Sequence, residues 1–223
     1  MLVVAAGLAL LTLALAAPVR HGPRAERICR PAPPAPNGTK SCLVIGDSVS
    51  LGTTGPAFGA GPCDARGCCS GGCLAINMTG NCDVLHAPFS GDGGACDTRY
   101  GLQCGALWLG ANLAGGAAPR YDAIVFNFGL HDTNDGGLDE EARDEHVPLA
   151  EYGQNLLAFT ALVRKHQPQA QLAWMSSTPM HFAMHLNDNV VAYNALAPLI
   201  FKSECKEFTP DFLDFLLNSQ ELW

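Results

Sequence analysis

Basic side chains are scarce in this chain: 13 Lys and Arg stand against 21 Asp and Glu, a formal charge of −8 over 223 residues. With no basic stripe to displace phosphate counterions, the balance argues against a nucleic acid partner and serves solubility. Long apolar runs are scarce too. The one at Met1 to Ala17, almost wholly Leu, Ala and Val with small residues at Ala14 and Ala16 before Pro18, predicts a secretory signal over residues 1–16. It has no basic residue of its own and is short for a spanning helix, so cleavage near Ala16 is preferred to an uncleaved anchor, leaving no stable membrane span. Paired Cys-x2-Cys spacing is missing as well, which disfavours a zinc site.

What is present fits export. Ten cysteines, at 29, 42, 63, 68, 69, 73, 82, 96, 104 and 205, all follow the expected cleavage site, and an even set of this kind predicts disulfides in an oxidising compartment. Asn37-Gly38-Thr39 and Asn77-Met78-Thr79 are glycosylation acceptor triplets. The localisation expected is secreted or in the lumen of the secretory pathway. Residues 17–39, with Pro31, Pro33, Pro34 and Pro36, read as an extended linker, so one domain is expected over 40–223. Within it, 61–82 is dense in cysteine and glycine and reads as a disulfide-stapled insertion.

Hydrophobic periodicity gives alternating strands and helices. Ser41 to Ile45 is a short apolar strand stopping at Gly46-Asp47-Ser48; Asp83 to His86 is a second, followed by a glycine-bearing loop to Gly94. Leu102, Ala106, Leu109 and Leu113 predict an amphipathic helix from Arg99 to Ala114, ending at Gly115-Gly116, with Trp108 in the core. Tyr121 to Gly129 is the clearest strand, apolar enough to be buried on both faces, and it runs into Leu130-His131-Asp132. Asp135 to His146 reads as an acidic, solvated loop. Leu149, Tyr152, Leu156, Phe159 and Val163 predict a helix closed by Lys165-His166, and Gln171 to Ser176 a fourth strand that Ser177-Thr178-Pro179 turns. Asp188 to Phe201 is helical through Val191, Asn194, Ala195 and Leu199, with Pro198 expected to bend or end it. Strand, loop and helix in repetition predict the α/β class: a parallel sheet with helices on both faces.

Two strand ends then carry polar residues to one edge of that sheet. Gly46-Asp47-Ser48-Val49-Ser50 and Phe126-Asn127-Phe128-Gly129-Leu130-His131-Asp132, with Asp97-Thr98-Arg99-Tyr100-Gly101-Leu102 between them and Ser177-Thr178-Pro179 after, resemble blocks of the SGNH or GDSL hydrolases. The likeness is to the branch with Gly-Leu-His-Asp in its third block and covers roughly Lys40 to Phe201. It implies a flavodoxin-like three-layer α/β/α fold and the hydrolysis of acyl or acetyl esters of lipids, sugars or small molecules without a cofactor or metal.

By the same resemblance Ser48 is the nucleophile, with Asp47 supporting. Ser48, Gly93 or Gly94, and His131 form the oxyanion hole, and Gly129 and Asp132 support the third block. A serine hydroxyl needs a base and a tetrahedral oxyanion needs fixed donors, so the chemistry asks for the same parts. His131 stands where asparagine is commoner, and both an oxyanion donor and an orienting residue suit it. The family's Asp-x-x-His near the carboxyl terminus, after a fifth strand, has no counterpart here, so no base is identified and the sheet is open to lacking its last strand. His181 and His185, the last histidines, follow the fourth strand and read as ordinary loop residues. The expectation is thus an esterase, impaired if the base is truly missing; the alternative is a non-catalytic extracellular binding module on the same fold.

Overall fold

In a computed structural model, residues 23–33, 40–47, 50, 83–89, 97–111, 118–133, 146–179 and 186–204 are described. Ser48, Gly93, Gly94, the cysteine-rich 61–82, the acidic loop from Asp135, His181, His185 and both acceptor asparagines lie outside them.

Four strands form one parallel sheet: β1 (Ser41–Ile45), β2 (Asp83–Ala87), β3 (Ala123–Phe126) and β4 (Gln171–Trp174), in the order β2-β1-β3-β4. The register sets Val44 opposite His86 and Val125, and Phe126 opposite Trp174. Alternation along each strand divides the side chains. Leu43, Ile45, Leu85, Ile124, Phe126 and Leu172 share the larger core, whereas Cys42, Val44, Val84, Val125 and Ala173 make the other. Both faces are dry, as a parallel sheet requires: Val44 and Ile45 are each 0% exposed.

The helices are α1 (Pro23–Ile28), α2 (Thr98–Trp108), α3 (Leu149–His166) and α4 (Asn187–Glu204). All four contribute to the larger core. Right-handed crossovers explain the placing of α2 and α3: β2 to β3 and β3 to β4 step across the sheet in the same direction, which puts both connections on one face. Phe126 lies at the centre of that core, against Phe128, Phe159 and Phe201 at ring-centroid distances of 5.9, 5.3 and 5.4 Å.

Three expectations change. Residues 23–33 are not linker: Ala25, Ile28 and Ala32 are buried, Trp108 Nε1 donates to Ile28 O at 3.0 Å, and Cys29 is bonded to Cys104. Proline density made the segment look extended, but distant contacts from α2 fold it down. Helix α2 stops at Trp108 rather than Ala114, in a Schellman ending at Gly110 (φ +88°), with Ala111 N bonding Ala106 O and Gly110 N bonding Leu107 O. In α4 the buried stripe is Val190, Tyr193, Ala197, Ile200 and Phe201, while Val191 and Leu199 are 67% and 65% exposed. Nor does Pro198 end that helix. It removes the N–H that would reach Asn194 O, but Phe201 packs on Phe126 and Trp174 and holds the last turns in place.

Candidate active site

Strand order places the site before any side chain is considered. The connection from β1 runs to β2 on one side and the connection from β3 runs to β4 on the other, so the crevice at the carboxyl ends of β1 and β3 is the topological switch point where α/β sheets bind ligands. Gly46-Asp47 leaves β1 there, and Asn127 to Asp132 leaves β3.

On the β1 side, Gly46 N donates to Ala87 O at 3.1 Å, and the chain turns at once. A Cβ on Gly46 would lie 2.4 Å from Ser50 Oγ and 3.3 Å from Asn127 O, so only glycine lets the turn fold back so closely. Asp47, 1% exposed, caps the turn: its Oδ1 accepts Ser50 N–H at 3.3 Å while its main-chain oxygen accepts the Ser50 hydroxyl at 2.8 Å. Asp47 and Ser50 are thus tied to each other by two hydrogen bonds.

The neighbouring strand supplies His86, which the sequence did not single out. Its Nε2 is 2.8 Å from Ser50 Oγ. Since the Ser50 proton is given to Asp47 O, the serine oxygen accepts, which assigns the Nε2–H tautomer to His86. Burial lowers the His86 pKa to about 3, so the ring is neutral at physiological pH.

On the β3 side the backbone is held from three directions. Asn127 Nδ2 donates to Met175 O at 2.8 Å, and Tyr152 Oη and Ser177 Oγ both donate to Phe128 O, at 3.1 and 3.2 Å. Gly129 then takes φ +134°, which favours glycine, and a Cβ there would sit 2.7 Å from Ser177 Oγ. Thr133 closes the turn, N to Gly129 O at 3.0 Å and Oγ1 to Leu130 O at 2.8 Å. His131 is half-buried on this turn. Ser177 is itself fixed by Asn194 of α4, whose amide accepts Ser177 N–H at 2.9 Å and donates to Ser177 O at 2.8 Å.

Asp132 is fully buried and faces α2. Its Oδ1 accepts both the N–H (3.0 Å) and the hydroxyl of Thr98, and Asn155 Nδ2 donates to the same Thr98 oxygen at 3.0 Å. Asp97 starts α2 by accepting Tyr100 N–H at 2.8 Å. Burial raises the Asp132 pKa to about 7, helped by the Asp97 charge and opposed by the Thr98 and Gly129 hydrogen bonds. Arg99 and Glu151 join α2 to α3 beside this cluster through two bonds of 2.6 and 2.8 Å. Asp132 therefore anchors the β3 turn to the helices.

Of the residues expected in the site, the structure gathers Asp47, Gly129, His131 and Asp132 at the ends of adjacent strands, while Ser48, Gly93 and Gly94 lie outside the described residues. The signal for Ser50 was its place in the first block. For His86 it was a histidine following two apolar residues, Val84 and Leu85, in a strand. Among the described residues no group of three or more His, Cys, Asp or Glu is placed to hold a metal ion, and no helix is long and apolar enough to cross a membrane.

No protein-family model matches the chain, and no curated protein matches it. Among solved structures it is similar to a catalytic mutant of the acetylxylan esterase Axe2 from Geobacillus stearothermophilus, at 16% identity and TM-score 0.48 over 83% of each chain. A carbohydrate esterase family 2 enzyme with a carbohydrate-binding domain from Corynascus thermopiles (Myceliophthora fergusii) is similar at 16% identity and TM-score 0.48, over 77% of this chain and 56% of that one. An acetyl xylan esterase from the rumen bacterium Butyrivibrio proteoclasticus is similar at 17% identity and TM-score 0.39, over 78% of this chain and 54% of that one.

Proposed function

We propose that this chain is a secreted serine ester hydrolase. In this reading the Ser48 oxygen attacks the carbonyl carbon of an acyl or acetyl ester and its proton passes to a base. The alcohol leaves protonated, and water then hydrolyses the acyl-enzyme to the free acid. The substrate is a small-molecule, lipid or carbohydrate ester. The Ser48 N–H, a glycine at 93 or 94 and the His131 ring would receive the oxyanion. The observation that carries the reading is the juxtaposition of β1 and β3 at the switch point, which brings the Gly46-Asp47 turn and the Gly129 to Asp132 turn to one crevice. Export is supported by the Cys29–Cys104 disulfide. His86 is not assigned as the base, because it is buried against Ser50.

The alternative reading is a non-catalytic extracellular binding module on the same fold. One experiment separates the two. Folded, secreted protein is treated with a fluorophosphonate and mapped by mass spectrometry, and its turnover of p-nitrophenyl acetate and acetylated xylo-oligosaccharides is compared with that of Ser48→Ala. Labelling at Ser48 with turnover lost in Ser48→Ala supports the hydrolase. Absence of both refutes it and leaves the binding module.

A further inference from the structure

His86 is an unusual occupant of its position. It lies on the face of the sheet with Val44, Val84 and Val125, all nearly inaccessible, where an aliphatic side chain would pack without the cost of drying an imidazole. The hydrogen bond its ring makes is to Ser50 Oγ at 2.8 Å. Ser50 in turn sits in a place prepared for it from two other sides: Gly46 withholds a Cβ that would come within 2.4 Å of Ser50 Oγ, and Asp47 accepts both the N–H and the hydroxyl of Ser50.

We infer that His86 is a positioning residue: by donating to Ser50 it locks Ser50 against Gly46 and Asp47 in the turn at the carboxyl end of β1, two residues along the chain from the proposed nucleophile Ser48. The bond needs an N–H donor at one point in space and no proton transfer. That suits a ring whose burial keeps it neutral and in one tautomer. Strand register supplies the precision, because His86 is opposite Val44, two residues before Gly46 on the adjacent strand. Among the described residues, the carboxyl group bonded beside it is Asp47, which meets Ser50 from the other side. The importance of residue 48 rests on the proposed serine hydrolase; the locking of the turn does not.

The test compares the wild type with His86→Gln, which restores an amide N–H near the Nε2 position, and His86→Leu, which fills the core without a donor. Two signals are read: hydrogen exchange of the 46–51 amides, and the rate at which a fluorophosphonate labels Ser48. Exchange in 46–51 is expected to be about five-fold faster in His86→Leu, as for the loss of one buried hydrogen bond, with His86→Gln within about two-fold of wild type. Exchange in β3 and α3 is expected to stay unchanged, and labelling to slow in the same order. A residue that only fills the core would give the opposite ranking, with Leu at least as good as Gln, and that result overturns the inference. If His86→Leu does not fold, Ser50→Ala removes the same bond from the other end and must accelerate exchange in 46–51 alike. Wild-type protein that fails to label at Ser48 refutes the hydrolase, while the exchange ranking still decides the role of His86.

Discussion

Asp132 is the residue through which stability should depend on pH. Fully buried, with Oδ1 receiving two donors from Thr98 and the Asp97 charge nearby, its carboxyl holds a proton up to about pH 7, against an ordinary value of 3.8. The folded state therefore keeps a proton that the unfolded chain releases near pH 4. By linkage the favourable contribution is complete below pH 4 and is lost as pH rises to about 7. The slope is about 1.4 kcal/mol per pH unit, or about 4 kcal/mol over the window. Asp132→Asn keeps an oxygen for the Thr98 donors and cannot ionise, so its unfolding free energy should be flatter over pH 4–8 than that of the wild type. Asparagine also buries two amide donors, so it should be the weaker protein at pH 5 and regain ground by pH 8. Asp132→Ala leaves the Thr98 N–H and hydroxyl without their acceptor and should lose a further ~2 kcal/mol at every pH. Urea unfolding at half-unit pH steps measures all three. Wild-type and Asp132→Asn curves that run parallel from pH 4 to 8 would refute the reasoning.

Gly129→Ala forces a side chain to φ +134° and within 2.7 Å of Ser177 Oγ, so a loss of about 2–3 kcal/mol in chemical unfolding is expected, together with reduced esterase turnover if the β3 turn serves catalysis. Gln167→Ala should cost about 3 kcal/mol, since the buried amide donates to Leu109 O and Pro119 O at 2.9 and 2.7 Å and accepts Tyr121 N–H at 3.2 Å. An unchanged urea midpoint would show that these groups find other partners. The double substitution Cys29→Ala, Cys104→Ala opens a bridge between residues 75 apart and should lower stability by about 4 kcal/mol on the chain-entropy account. Equal thermal midpoints of the double variant and the oxidised wild type would contradict it.

The sheet was legible because each strand is a short apolar run closed by a turn residue, and α3 because Tyr152, Leu156, Phe159 and Val163 form a single apolar stripe. Helix α4 was harder: it carries two stripes, and the aromatic contacts of Phe201 with Phe126 and Trp174, not local spacing, decide which is buried. The end of α2 was misjudged because two glycine signals compete. Gly110 prevails, its backbone lying where a Cβ would meet Pro119 Cδ at 2.5 Å, a neighbour that local sequence does not reveal. In the site, the blocks at Gly46 and Gly129 were readable as strand ends. The Ser50–His86 bond was not, since its partners are 36 residues apart and meet only through the β1–β2 register. The Thr98–Asp132 anchor was hidden for the same reason, at a separation of 34.

The stapled segment before β1 gives the molecule a part whose order depends on redox state. Helix α1 has six residues, too few to stand alone in water. It is held by Ala25 and Ile28 in the core, by the Trp108 indole bond to Ile28 O and by the sulfur bridge from Cys29 just after it. Removing this one bridge would therefore free residues 23–33 first, a local opening rather than a global one. Limited proteolysis of the Cys29→Ala, Cys104→Ala variant beside the wild type should show a new cut there before any in α3.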